Sequence, residues 1–432
     1  MKRYTRICIG AVLVLLSVTA WFLTINRQST ASRQLGLISQ AADYISDEIF
    51  IKAVSLLEEA AKINSRHTTL AEDYLKLAYL NLLHNTGYGR RYVALLEKQI
   101  SSKNPNPEVF IEAAQYYINT SKISQALKVL KDGISKTNCE HIKDMYENYR
   151  YTFEITGTYF GYISEIYKGT IQVSSDGLWG IAEADGFLMI PCEYEEISTF
   201  SVDSAVAREE NTVFAIDSKN NRVALLREAA TKIGNLSENR IAVKTENGWV
   251  RASAQLQTGS AVFEEIGTYS GGYAAAKTSG KWGVIDTGLK WLIEPTFDQI
   301  ILDDLGRCYG QGALFVRLDD RVYLNISGKI SDKYYEDARA FNDEGCAAVK
   351  RNGKWGFIDS TGEVVIDFVF QEAQSFSGHL AAVRLGELWG YINPNGDIVI
   401  EPQFLVARAF SEGHAPVLTE KGWSIITLLE YK

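Results

Sequence analysis

Acid–base catalysis needs two carboxylates that can meet across a substrate, and this chain offers a tempting set. Glu183, Asp217, Ser253, Asp286, Asn325, Asp359, Asn393 and Thr427 recur at near-equal spacing, and every one is polar. A catalytic pair should break a repeat rather than follow it. Each of these positions also enters a hairpin turn, where short polar side chains accept local N–H groups. Turn chemistry is the expectation.

Metal ligation has no better basis. His379 and His414 fall in adjacent repeats but at different places, and neither forms an HxxxH pair or joins a Cys. Cys8, Cys139, Cys192, Cys308 and Cys346 are spaced too irregularly for a CxxC zinc pattern or a disulfide framework. They read as small buried or half-buried apolar residues. The stretch Asn393-Pro394-Asn395-Gly396-Asp397 lacks the acidic ligands of a calcium loop. No GxSxG, Walker-type or dinucleotide GxGxxG motif stands in a strand–helix setting. We expect no enzyme: no catalytic residue, no cofactor and no metal. With a formal net charge of −9 and no Lys/Arg-rich run beyond the first six residues, no nucleic-acid partner is expected either.

What these residues do share is a scaffold. A slot occupied by Trp179, Val213, Trp249, Trp282, Arg321, Trp355, Trp389 and Trp423 recurs at intervals of 34, 36, 33, 39, 34, 34 and 34 residues. Six of the eight tryptophans fall in it. Nine or ten residues earlier stand Gly169, Asp203, Asn239, Gly272, Gly312, Gly345, His379 and Gly413, the types that most readily accept positive φ. Four residues after these come Val173, Ala207, Val243, Ala276, Val316, Val349, Val383 and Val417, suited to a buried strand face. Each unit thus reads as a three-stranded meander: an Ala-Ala-Val strand, a turn such as Asn352-Gly353, a Trp strand, a second turn, and a third strand ended by Pro191, Pro295 or Pro402. A connecting segment carrying Phe297, Phe370 or Phe404 leads onward.

The pattern WGxID-x₂-G-x₃-I-x-P-x-F, followed by F-S-x-G-x-A-A-V, resembles the WG-repeat family of mostly bacterial proteins, over about 265 residues. Val213-Phe214 and Arg321-Val322 depart from it, and the third unit has Val250 after Trp249. The resemblance implies a repeat scaffold and little chemistry. Units this small must stack on their neighbours, and eight of them suit a closed propeller-like ring, with an open superhelix as the alternative. The last unit lacks its third strand, which leaves room for a terminal closure. The longest unit carries an insertion around residues 300–312, expected as a surface loop on one face of the array.

Residues 35–152 change character, with apolar residues at three- and four-residue spacing and breaks at residues 85–89, at 104–107 and at Gly133. Ala41, Tyr44, Ala53, Leu57 and Ala60, and again Phe110, Ala113, Ala114, Tyr117, Ala126, Leu130 and Gly133, resemble tetratricopeptide repeats. At the N-terminus, Lys2, Arg3 and Arg6 precede an uncharged stretch over 7–25, long enough to cross a bilayer. The fold class is therefore multidomain α + β: a membrane segment (1–30), helical hairpins (35–152) and eight β-repeats (160–432). The expected role is a membrane-anchored, extracytoplasmic scaffold that binds protein partners. Secretion after signal cleavage is the alternative for the address. For the function, the alternatives are a cell-wall or glycan partner and, behind it, a hydrolase on the β-repeats. Trp291, outside the repeat slot, is the tryptophan that would suit a glycan surface.

Overall fold

The computed structural model describes residues 26–308, 312–341 and 344–432. The chain forms two compact units, one ending at Asn148 and one beginning at Tyr149. The expected membrane segment, 7–25, lies outside the described residues. Among the described residues no helix is long and apolar enough to cross a membrane.

The first unit is helical. Helix α1 covers residues 26–46. It is followed by α2 (Phe50–Ala61), α3 (Thr68–Asn81), α4 (Tyr88–Ile100), α5 (Pro107–Asn119), α6 (Ile123–Thr137) and α7 (Glu140–Tyr149). Ala41, Ala53, Ala60, Ala71 and Ala78 are wholly buried, so the helices pack closely around Leu57 and Leu96. Pro107 opens α5, where its missing N–H is not needed, and the Asn106 side chain accepts from the Glu108 N–H at 3.1 Å. Gly133 does not end a helix as expected. It sits inside α6, where a Cβ would come within 2.9 Å of Phe110 Cγ, so it serves a close crossing. The helix stops instead at Asn138, which takes the left-handed conformation (φ 51°).

The second unit is a ring of eight four-stranded antiparallel blades. The expectation of three strands per unit is corrected here. The connecting segment itself forms a two-residue strand, too short to show a period-two pattern. In blade 6 strands a to d are Asp337–Ala338, Cys346–Arg351, Lys354–Asp359 and Val364–Phe370. Strand d is outermost and carries exposed Val364, Val365 and Val369. Blade 8 has Val406–Ala407, His414–Thr419 and Gly422–Leu428, and its fourth strand comes from the start of the unit. Phe153 pairs with Leu428, Glu154 with Thr427 and Ile155 with Ile426. The array closes, and no superhelix is formed.

Blades stack through aromatic pairs. Phe315 lies flat on Phe341 of the next blade, with centroids 5.0 Å apart; Phe357 meets Phe376 at 4.9 Å and Tyr391 meets Phe410 at 4.7 Å. Within a blade, the Trp of strand c stands opposite the aromatic at the end of strand d: Trp282 with Phe297, Trp355 with Phe370, Trp389 with Phe404. Those phenylalanines therefore belong to the outer strand rather than to a connection.

The Gly of each Trp-Gly pair answers to that same strand. Opposite Gly356 the register jumps from Trp355–Phe370 to Phe357–Ile366, leaving residues 367–369 as a bulge. A Cβ on Gly356 would stand 2.8 Å from the Ile366 carbonyl oxygen, and one on Gly283 would stand 2.5 Å from that of Ile293. Gly180 and Gly390 face the same crowding. Pro191, Pro295 and Pro402 do not end strand d; they lie in this bulge, where no ladder N–H is required. Where another residue replaces the glycine in blades 2, 3 and 5, its place pairs directly and the irregularity moves further along the strand: Phe214 pairs with Leu225, Val250 with Val262 and Tyr323 with Tyr334, and the register shifts only after them.

Candidate functional site

The repeat slots hold the ring together. Trp282, Trp355, Trp389 and Trp423 are buried, and Trp179 and Trp249 are half-buried. In unit five the slot belongs to Val322, opposite Arg317, and not to Arg321, which sits one place earlier in the turn position of Lys354. Gly169, Gly272, Gly312, Gly345 and Gly413 have φ of 76°, 83°, 75°, 68° and 81°. Asp203 departs from this rule; the positive φ falls on Val202 (61°), which is 80% exposed. The residue before the slot ties blades together: Glu238 accepts from the Gly272 N–H at 3.0 Å and Glu344 from the His379 N–H at 2.8 Å. Carboxylates after the Trp slot serve turns. Asp286 Oδ1 accepts from the N–H groups of Gly288 and Lys290, at 2.8 and 2.9 Å, and Asp359 Oδ1 from those of Thr361 and Glu363, at 2.9 and 3.0 Å. Its hydrogen bonds hold the Asp359 carboxyl below the usual range.

Unit-specific chemistry gathers at the axis. The residue after strand a donates its N–H to strand b in every blade. Through the ring it is Ser164, Ser198, Gly234, Gly267, Ile301, Arg339, Gln374 and Arg408. Small residues on one side leave room for the insertion of blade 5, and long polar ones face it from the other.

The insertion crosses the axis rather than looping over a surface, which corrects the expectation for it. Leu305 is buried, and its carbonyl accepts from Asn235 Nδ2 of blade 3 at 3.1 Å and from Thr268 Oγ1 of blade 4 at 2.6 Å. The Thr268 N–H donates to the Gly306 carbonyl at 2.8 Å. A Cβ on Gly267 would fall 2.7 Å from that same oxygen, so only glycine fits there. On the far side, Asp304 accepts from Arg408 of blade 8. The Arg408 guanidinium also donates to Tyr162 Oη at 2.7 Å and lies 4.9 Å from the Trp423 ring centroid. Asp303 accepts from the N–H groups of Leu305 and Arg307, at 3.0 and 2.8 Å, and from Arg307 Nε at 2.6 Å.

Beside the insertion is a cavity of about 470 Å³, lined by residues of blades 1, 4, 5, 6, 7 and 8. Glu165 lies deep in it, with its carboxyl pushed up to about 7 by burial and then by Asp303 and Asp304, against the pull of Arg408 and Arg307. Burial pushes the Cys308 thiol up to about 12, so it stays protonated and unreactive. Among the described residues no group of three or more His, Cys, Asp or Glu is placed to hold a metal ion. His414 Nδ1 lies 2.9 Å from Thr427 Oγ1, and burial lowers its pKa. Sequence reading missed Glu165, Asp304 and Arg408 as a group. The available signal was that the axial position changes from unit to unit while its neighbours repeat.

In the helical unit a groove of about 680 Å³ lies along α3, α4 and α5. Leu77 and Leu80 are exposed in it, between the ion pairs Lys76–Glu112 (2.8 Å) and Lys98–Glu72 (2.7 Å). Gln99 Oε1 is buried there without a partner among the described residues. Trp291 is half-buried, in a T-shaped contact with Phe263 at 6.2 Å.

The fold and the site define an eight-bladed β-propeller with an insertion across its axis. Five stretches of the chain, 260–282, 282–302, 323–355, 355–389 and 389–423, match the family described as WG containing repeat. No curated protein matches the chain. Among solved structures, the AfRom2 CNH domain is 10% identical, with 64% of this chain and 96% of that chain covered and a TM-score of 0.30. The Neurospora crassa Pan2 WD40 domain is 10% identical, with 64% and 88% covered and a TM-score of 0.31. These likenesses are distant, and the ring is read from its own strand pairing.

Proposed function

We propose that this protein is an interaction scaffold without a catalytic step of its own. Its helical unit takes a protein segment, and its propeller serves as a rigid platform. The observation that carries the reading is the groove on α3, α4 and α5. Its floor exposes Leu77 and Leu80, its rim is charged, and Gln99 Oε1 is an unused acceptor. Glu72, Asp73, Glu108 and Glu112 outnumber Lys76 and Lys98 along it, which favours an apolar segment flanked by basic residues. The uncharged stretch over 7–25, after Lys2, Arg3 and Arg6, supports a membrane anchor with both units outside the cytoplasm.

The test is photo-crosslinking in native membranes from a probe at Leu80. Specific adducts that disappear on Leu77→Asp support the groove as the docking site. Adducts equally strong with and without that change contradict it. Carbonate extraction tests the anchor: the chain should stay with the membrane pellet, and release into the supernatant would rule out an integral span.

A further inference from the structure

Most charged groups around the axial cavity are already used. Asp303 is held by Arg307, Asp304 by Arg408, and Glu344 by the His379 N–H. Arg339 lies against Trp355, 4.9 Å from its centroid, and Lys168 lies 5.1 Å from the Tyr167 centroid. The Glu165 carboxylate has no hydrogen-bond or ion-pair partner among the described residues, although it sits deep in the cavity and lines it. Glu165 is half-buried, and a carboxylate held away from bulk water with nothing to pair with is stabilised by a proton or by a cation from outside.

The surroundings favour the cation. Burial is the first cause that pushes the Glu165 carboxyl up to about 7, and Asp303 and Asp304 add to it against Arg408 and Arg307. The excess of carboxylates over guanidinium groups at that point favours a positive group that can pair with Glu165. Tyr167, Phe341 and Phe410 back the cavity and make part of its wall apolar, which suits an alkyl stem. At about 470 Å³ the cavity is far larger than the roughly 30 Å³ share of one water.

We propose that the axial cavity binds one organic cation, an ammonium or guanidinium group, with Glu165 as its counter-ion. This site is separate from the hairpin groove and stands or falls independently of it. The cation could be a free small amine or a side chain of a partner, and the test separates the two.

The full chain is titrated calorimetrically near neutral pH with putrescine, with Nα-acetyl-arginine amide and with succinate as the anionic counterpart. We expect saturable binding of at least one cation and none of succinate. Heats that differ between phosphate and Tris buffers should report release of the Glu165 proton on binding. Glu165→Gln should weaken binding about tenfold or more and abolish the proton release, with a cooperative melt as the control for folding. Binding of putrescine alone assigns a free amine, and binding of the arginine amide assigns a side chain. No saturable binding of either cation, binding of succinate, or unchanged affinity in Glu165→Gln would overturn the proposal. Should that variant not fold, cation binding to the unaltered chain without proton release would overturn it equally.

Discussion

The glycine of each Trp-Gly pair exists for the strand beside it, not for its own. It lets the outer-strand bulge approach the blade, so Gly356→Ala should lower stability by about 1–3 kcal/mol through overpacking, seen as a lower urea midpoint at unchanged slope. Val250, which pairs directly with Val262, should accept Ala with only the loss of its methyl groups. Val202 is the reverse case: a β-branched residue at φ 61°, exposed to solvent. Val202→Gly should relieve strain and stabilise the fold by about 1 kcal/mol; a lower melting temperature would show that the turn is unstrained. Glu165 gives a pH dependence. Its folded carboxyl, near 7, lies above the ordinary 4.5. Its ionisation therefore costs stability increasingly as pH rises from about 4.5 to 7. Glu165→Gln should raise the melting temperature more at pH 8 than at pH 5, and an equal shift at both would contradict the burial. The sequence showed the Trp-Gly pairs but not their reason, because the bulge lies on the partner strand. It also misplaces one slot: the position of the tryptophans in unit five belongs to Val322, which stands ten residues after Gly312 as Trp355 stands ten after Gly345, and not to Arg321.

At the level of elements, the legible parts were those with a period. The Ala-Ala-Val and Trp strands and the helical hairpins all announce themselves through repeated apolar positions. The two-residue inner strands do not, and neither does the direction of the blade 5 insertion. The insertion's path depends on Gly267, a position in another blade where a Cβ would meet the Gly306 carbonyl oxygen. Its contact with Arg408 is a joint between blades 5 and 8 and should behave as one. Asp304→Ala and Arg408→Ala, alone and together, should show a coupling of about 0.5–3 kcal/mol in a double-mutant cycle. Additive losses would mean that the pair carries nothing. The closing strand is a second testable joint. The Thr156 N–H donates to the Ile425 carbonyl at 2.8 Å, and its hydroxyl lies 3.0 Å from Ser424 Oγ. Thr156→Pro should cost about 3 kcal/mol, whereas the same change at an exposed loop position should cost far less.

For the whole molecule, eight near-equal periods and an incomplete last unit pointed to closure, and the ring closes by lending the first strand of the unit to the last blade. A closed ring needs no protected edge at either end and holds groups from six blades around one cavity, an arrangement that an open superhelix would pull apart. The axial cavity and its carboxylate therefore depend on closure. The direct test places cysteines at Glu154 and Thr427, which are paired across the closing strands, in a chain whose native cysteines are replaced by Ala or Ser. Mild oxidation should give a rapid intramolecular disulfide, seen as a faster-migrating monomer on a non-reducing gel and as a higher melting temperature. Slow or exclusively intermolecular crosslinking would show that the ends of the array do not meet, and the ring would have to be abandoned.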